Sequence, residues 1–245
     1  MIDRTGWQKA FRAGEAIGAV AVLNAAWDEL VAETPGTFNA GMHEPALTEM
    51  LCIHLQDTRE AARLSGWWDF EVPQGKLDKQ VGNWTVTKRK RTDIRYSSNL
   101  ESPPLSLVFE FKKLSHRKSD RDHYTGQEGM LRFVTGEYSV GKPVAAMVGI
   151  LTVHRDDTVP VLEKWLNSPD AKAVLYMETA DGVQARTPSQ LFDCAAFDTE
   201  HLRPRDRAPA HGTIVISHLF LDFPDLPRRA AKSASRRALS DALDR

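Results

Sequence analysis

Cysteine is scarce: Cys52 and Cys194 are the only two, and no CxxC pair occurs. A disulfide framework and a structural zinc site are therefore not expected, and a reducing cytoplasm is the expected compartment. Long apolar runs are also missing. None approaches the roughly 20 residues a bilayer-spanning helix needs, and the start, Met1-Ile2-Asp3-Arg4, carries no basic-then-apolar targeting signal. Charge of one sign is lacking too. The formal net charge is −1, so any affinity for nucleic acid must come from local basic clusters. No GxSxG, Walker or GxGxxG loop is present, which removes support for hydrolase-triad, ATPase and dinucleotide chemistry.

What is present is enough for one core. The chain has 245 residues, 42% of them hydrophobic, sufficient for one sizeable domain with extensions. Residues 1–40 read as a helical extension, residues 41–225 as the main domain, and residues 226–245 as a basic, polar, Ala- and Arg-rich tail. In the extension, Trp7, Phe11, Ile17, Val20, Leu23, Trp27, Leu30 and Val31 recur at spacings of three and four with a break near Gly14, so two helices are expected.

After Thr34-Pro35-Gly36, Glu44-Pro45 opens a helix expected to run to about Ser65. At about 100° per residue, Leu47, Leu51 and Leu55 form one stripe, Glu44 falls on it, and Glu49 points away. Strand character follows from Trp67 to Tyr96, with a turn expected at Pro73-Gln74-Gly75. Further strands are expected at 105–112, 143–153, 174–177 and 213–220. Helices are expected at a stripe of Met130, Phe133, Val134 and Tyr138, and from Asp156-Asp157-Thr158 to about Leu166. The strand, helix, strand order predicts a crossover in a mixed sheet.

The candidate site lies between Asp93 and Lys112. In Leu105-Ser106-Leu107-Val108-Phe109-Glu110-Phe111-Lys112, alternation puts Leu107, Phe109 and Phe111 on one face and Val108, Glu110 and Lys112 on the other. In the preceding strand, Asp93 and Arg95 share a face, so Asp93 either pairs with Arg95 or the preceding basic residues, or joins Glu110. If the two strands are neighbours, Asp93, Glu110 and Lys112 converge. Asp93 and Glu110 supply hard oxygen ligands suited to Mg²⁺. Lys112 beside them could orient or help deprotonate a water and stabilise charge on a scissile phosphate.

Asp93 followed by Glu110-Phe111-Lys112 resembles the signature of the PD-(D/E)xK nuclease superfamily, with Thr92 standing where the name-giving proline would be. The resemblance spans about residues 44–151. It implies an α/β, restriction-endonuclease-like mixed β-sheet flanked by helices, here with the N-terminal helical elaboration. It also implies a Mg²⁺-dependent endonuclease in which Mn²⁺ can substitute, a glutamate from the preceding helix in the metal site, matched by Glu44 with Glu49 as the alternative, and a polar residue from the following helix, best matched by Gln127.

Basic residues near the site, Lys88, Arg89, Lys90 and Arg91 on one side and Lys113, Arg117 and Lys118 on the other, would hold a phosphate backbone without reading bases. Each such run could equally be a solvated face. DNA is the expected substrate, with RNA of the same chemistry as an alternative, and a non-catalytic nucleic-acid-binding or scaffolding subunit as a second. No sequence-reading module accompanies the core, so weak sequence specificity is expected. Restraint would then come from outside the chain, as for an antiviral-defence effector working with a partner such as a helicase or ATPase.

Elsewhere, Cys52 reads as a buried structural thiol, and His211 and His218, which flank the 212–220 strand, as satisfied core or edge histidines.

Overall fold

A computed structural model of the chain describes residues 13–58, 64–80, 83–100, 104–177 and 184–228; the side chains at 13, 73–80 and 83–90 are outside the described set. The elements are α1 (Ala13–Glu33), α2 (Glu44–Thr58), β1 (Trp67–Gln80), β2 (Asn83–Ser98), β3 (Leu105–Leu114), α3 (Lys118–Thr125), α4 (Met130–Val134), β4 (Val144–Leu151), α5 (Arg155–Leu166), α6 (Pro169–Val174), β5 (Ala185–Arg186), β6 (Phe197–Leu202) and β7 (Thr213–Leu221). The strands form one mixed sheet in the order β1-β2-β3-β4-β7-β6-β5. Its centre, β3, β4 and β7, is parallel, and both flanks are antiparallel.

Helices cover both faces, and the sequence of the central strands records it. Every residue of β4 and of β7 is buried, as expected of strands without a solvent-facing side. On one face, α1 and α2 pack their stripes of Ala16, Ala19, Val20, Leu23 and Trp27, and of Leu47, Leu51 and Leu55, on Phe109, Phe111, Val148 and Leu219. On the other, Tyr124, Met130, Phe133, Leu162 and Ala171 from α3 to α6 pack on Val108, Met147, Ile216 and Phe220.

Helix α1 is part of this core. Trp27 lies 4.7 Å from the Phe38 ring and 5.0 Å from that of Phe223, and its indole N–H donates to Asp222 O at 2.8 Å. The extension expected at residues 1–40 thus shares its packing with the main domain over its described part. The first of its two expected helices lies outside the described residues.

Three local expectations are corrected, and a fourth, the end of α2, falls on residues outside the described set. Pro73-Gln74-Gly75 is not a turn: β1 runs through it, paired with β2 from Trp67↔Ser97 to Gln80↔Asn83, with a register shift between Gln74 and Lys76. Proline is tolerated because β1 is an edge strand, and glycine beside a bulge relieves the backbone. Helix α2 is assigned only to Thr58, and the residues beyond it, 59–63, are outside the described set. Residues 174–177 are the end of α6, a turn and a single bridge, Met177↔His201; Ser168 caps that helix by accepting from Ala171 N–H. Tyr138 lies beyond α4, which is one short helix of five residues.

Candidate active site

The β2–β3 ladder is short. It runs from Ser98↔Leu105 to Ile94↔Phe109 and stops there, although β3 continues to Leu114 against β4 and β2 continues backwards against β1. The strands therefore part after Phe109, and β3 is left with backbone donors that have no strand partner. Buried amides must be satisfied, and side-chain carboxylates supply the bonds. Asp93 Oδ2 accepts from the Phe111 N–H at 2.8 Å, and Glu44 Oε2 accepts from the Lys113 N–H at 2.8 Å. The carboxylates are thereby fixed by the main chain at the mouth of the fork.

Between them stands Lys112. Its Nζ is 2.9 Å from Glu44 Oε1, 3.1 Å from Glu110 Oε1 and 4.0 Å from Asp93 Oδ2. It also donates to Phe111 O at 2.6 Å. Arg95 is engaged elsewhere, 2.8 Å from Asp69 Oδ2, so Asp93 belongs to the cluster and not to an Arg95 pair. Glu44 is the first residue of α2, with both oxygens directed at β3; Glu49 is exposed. Of the two glutamates, Glu44 is the one that reaches the cluster.

Gln127 is exposed on the turn between α3 and α4 and has no place in the cluster. The residue that reaches in from this connection is Arg132, whose Nη1 donates to Glu110 Oε1 at 2.9 Å and to Tyr138 Oη at 2.8 Å. The Tyr138 hydroxyl in turn donates to the Arg91 carbonyl, and Arg132 also pairs with Glu128. The sequence carried one signal for this: Arg132 interrupts Met130-Leu131-Arg132-Phe133-Val134, whose other four residues are buried.

The electrostatics are unbalanced. Glu110 is fully buried, and burial, with the Asp93 charge beside it, pushes its carboxyl up to about 8 against the opposing pull of Lys112 and Arg132. Burial also raises Asp93 despite Lys112 and the Phe111 N–H. Burial would lower Lys112, but Glu110, Asp93 and Glu44 outweigh it and hold the ammonium above its ordinary value. Glu110 Oε2 has no hydrogen-bond partner. Three carboxylates thus share two cations, Lys112 and Arg132, and one buried carboxylate oxygen is left without a donor.

These features fit a divalent cation. An ion that takes one or two carboxylates and keeps its remaining waters would supply both the missing charge and a partner for Glu110 Oε2. As the side chains stand, with Lys112 between them, no three His, Cys, Asp or Glu residues among those described are gathered around one point for a metal.

Four of the predicted phosphate-holding residues, Arg91, Lys113, Arg117 and Lys118, have described side chains. Arg91 is exposed and paired with Glu71, two positions before Asp93. Lys113 Nζ donates to Ala40 O at 2.7 Å. Arg117 and Lys118 are exposed at the start of α3, Lys118 being paired with Asp122. Lys88, Arg89 and Lys90 lie on β2, but their side chains are outside the described residues.

Two further expectations are met away from the site. Cys52 is buried, its thiol pushed up to about 12 by burial and by Asp69. His218 is buried and hydrogen-bonded to Tyr124 Oη and Thr199 Oγ1, both at 2.9 Å. Among the described residues, no helix is long and apolar enough to cross a membrane.

No family model, no curated protein and no solved structure matches this chain.

Proposed function

We propose that the chain is a metal-dependent nuclease that hydrolyses phosphodiester bonds of DNA at the Asp93, Glu110, Lys112 and Glu44 cluster, on a restriction-endonuclease-like fold. The observation that carries this is the fork after Phe109, where two strands part and side chains from α2, β2 and β3 meet around one ammonium. The element order supports the reading: a helix that carries Glu44, the two neighbouring strands of Asp93 and Glu110, a helical connection, and then the buried strand β4.

In this reading Asp93 and Glu110 would hold Mg²⁺, with Mn²⁺ able to substitute, and Glu44 would complete the site. A bound ion acts as a Lewis acid and lowers the pKa of its water. The protein's own groups do the rest. Arg132 holds the Glu110 carboxylate in place, and Glu44 positions Lys112. The Lys112 ammonium faces negative charge developing on the phosphate and orients the attacking water, in a half-enclosed site where each charge counts for more than in bulk solvent.

A second reading has its own observation. Lys112 already spans the carboxylates, as a closed ion-pair cluster in a non-catalytic scaffold would. Metal linkage separates the two, since an ion that binds only the folded protein raises its stability. The nuclease reading predicts a Tm that climbs with Mn²⁺ or Mg²⁺ in the wild type and stays flat in Asp93→Ala; a scaffold gives flat curves for both.

A further inference from the structure

The β1–β2 hairpin is longer than the sheet it belongs to. Only Ile94 to Ser98 of β2 pair with β3, whereas the β1–β2 ladder continues to Gln80↔Asn83. From Asn83 to Asp93 the strand is part of a two-stranded ribbon, and 11 residues at about 3.3 Å each give a length of about 35 Å. The ribbon leaves the sheet beside Asp93. Opposite that residue Glu71 has φ 48°, in the left-handed region that non-glycine residues seldom adopt. Strained backbone of this kind persists where its surroundings enforce it.

The composition of the ribbon differs from that of the chain. Between Glu71 and Arg91 it carries six cationic residues, Lys76, Lys79 and the run from Lys88 to Arg91, against Glu71 and Asp78, while the whole chain has a net charge of −1. The ribbon is also tied to the site at its root. The Arg91 carbonyl accepts from Tyr138, Tyr138 accepts from Arg132, and Arg132 donates to Glu110, so the direction of the arm and the position of the Glu110 carboxylate are set by one chain of hydrogen bonds.

We infer that the β1–β2 ribbon is an arm that enters the major groove of B-form duplex DNA and presents a backbone phosphate to the Asp93, Glu110 and Lys112 cluster. This deepens the nuclease reading by naming its substrate class, and its place in the reaction rests on that reading. A two-stranded ribbon fits a groove about 12 Å wide, and about 35 Å of ribbon corresponds to one turn of the duplex. The deep, narrow major groove of A-form RNA does not admit side chains, and a single strand offers no groove. The charge excess matches a partner that binds through its phosphates and releases counterions.

The test is binding without metal, so that it is independent of cleavage. Full-length protein in EDTA is titrated into a labelled DNA duplex of about 21 base pairs, two helical turns, into one of its strands, and into an RNA duplex of the same sequence. The wild type should bind the DNA duplex at least about tenfold tighter than either alternative. The variant Lys88→Ala/Arg89→Ala/Lys90→Ala should lose about tenfold on the DNA duplex, with a plot of log affinity against log salt shallower by about two to three units for three lost phosphate contacts. Lys76→Gln/Lys79→Gln on the partner strand reports the same loss if the first variant does not fold, as judged by thermal unfolding. Equal affinity for all three nucleic acids, or folded ribbon variants that bind the DNA duplex as the wild type does, overturns the inference. Ribbon-dependent binding without metal-dependent cleavage would leave the arm standing and remove the nuclease reading instead.

Discussion

Glu44 and Lys112 are held 2.9 Å apart by a carboxylate whose other oxygen accepts from the Lys113 backbone N–H at 2.8 Å. One side chain at the start of α2 therefore closes the open edge of β3 and fixes the central cation. Glu44→Gln keeps an acceptor for the amide and removes the charge; Glu44→Ala leaves the amide bare. An unsatisfied buried donor costs about 1–3 kcal/mol. Thermal or denaturant unfolding should show Glu44→Ala less stable than the wild type by about that amount, with Glu44→Gln between them, and both should lose cleavage.

Glu110 gives the opposite sign. Its carboxyl is raised from an ordinary 4.5 to about 8. The penalty for ionising it is absent below about pH 4.5 and grows as pH rises, so stability is lost up to about pH 8. Glu110→Gln stays neutral throughout and should unfold several degrees higher than the metal-free wild type at pH 8. The advantage should vanish near pH 4, and the variant should lose both metal-induced stabilisation and cleavage. A lower Tm for the variant at pH 8 would show that the carboxylate stabilises the cluster.

Removing the shared cation should hurt most. Lys112→Ala leaves Glu44, Asp93 and Glu110 facing one another with only Arg132 opposed to them. Breaking a buried ion pair from one side costs about 3–5 kcal/mol, and because Lys112 is partly accessible the lower end is expected. Burial and mutual repulsion hold Glu110 and Asp93 above their ordinary values, so protonation relieves the variant. Its Tm deficit against the wild type should shrink from pH 8 to pH 5, and a deficit independent of pH would contradict the charge argument.

A separate chain of hydrogen bonds predicts acid sensitivity. Tyr124 Oη, His218, Thr199 and His201 are linked at 2.8 to 2.9 Å, ending on the Leu175 carbonyl at 2.7 Å. Because a carbonyl only accepts, His201 donates from Nδ1, Thr199 donates to His201 Nε2, His218 donates to Thr199, and Tyr124 donates to His218 Nδ1, with both histidines neutral. Burial lowers His201 to about 4 and His218 well below its ordinary value. The unfolded chain takes up protons first, so stability is full above pH 6.5 and falls towards pH 4. In Glu110→Gln, which lacks the opposing contribution of the raised carboxyl, unfolding free energy should decline across that window as pH falls, and Tyr124→Phe, which leaves His218 Nδ1 without its donor, should cost about 1–3 kcal/mol at pH 7.

Much of the cluster was legible because its members sit on regular elements. Alternation in β3 is enforced by two covered faces, and it put Glu110 and Lys112 together on the side away from Phe109 and Phe111. The leucine stripe of α2 likewise placed Glu44. Arg132 and Tyr138 were less legible as site residues, since their role comes from a crossover that folds back on β3, a contact no local period records. The ribbon was hidden for a different reason. Pro73 and Gly75 mark turns in most settings, and only an edge strand with a bulge accommodates both. The six residues of β6 were missed because Phe197-Asp198-Thr199-Glu200-His201-Leu202 is polar in sequence, although Asp198 and His201 are buried among hydrogen-bond donors and acceptors.

The most direct measurement is cleavage of supercoiled, linear and single-stranded DNA and of RNA, with and without Mg²⁺ or Mn²⁺, by the wild type, Asp93→Ala and Lys112→Ala at matched folded concentration. The account predicts cleavage of duplex DNA that requires the metal and is lost by at least about a hundredfold in both variants, the scale of removing one preorganised electrostatic group. Cleavage that persists in either folded variant, or that needs no metal, would contradict it.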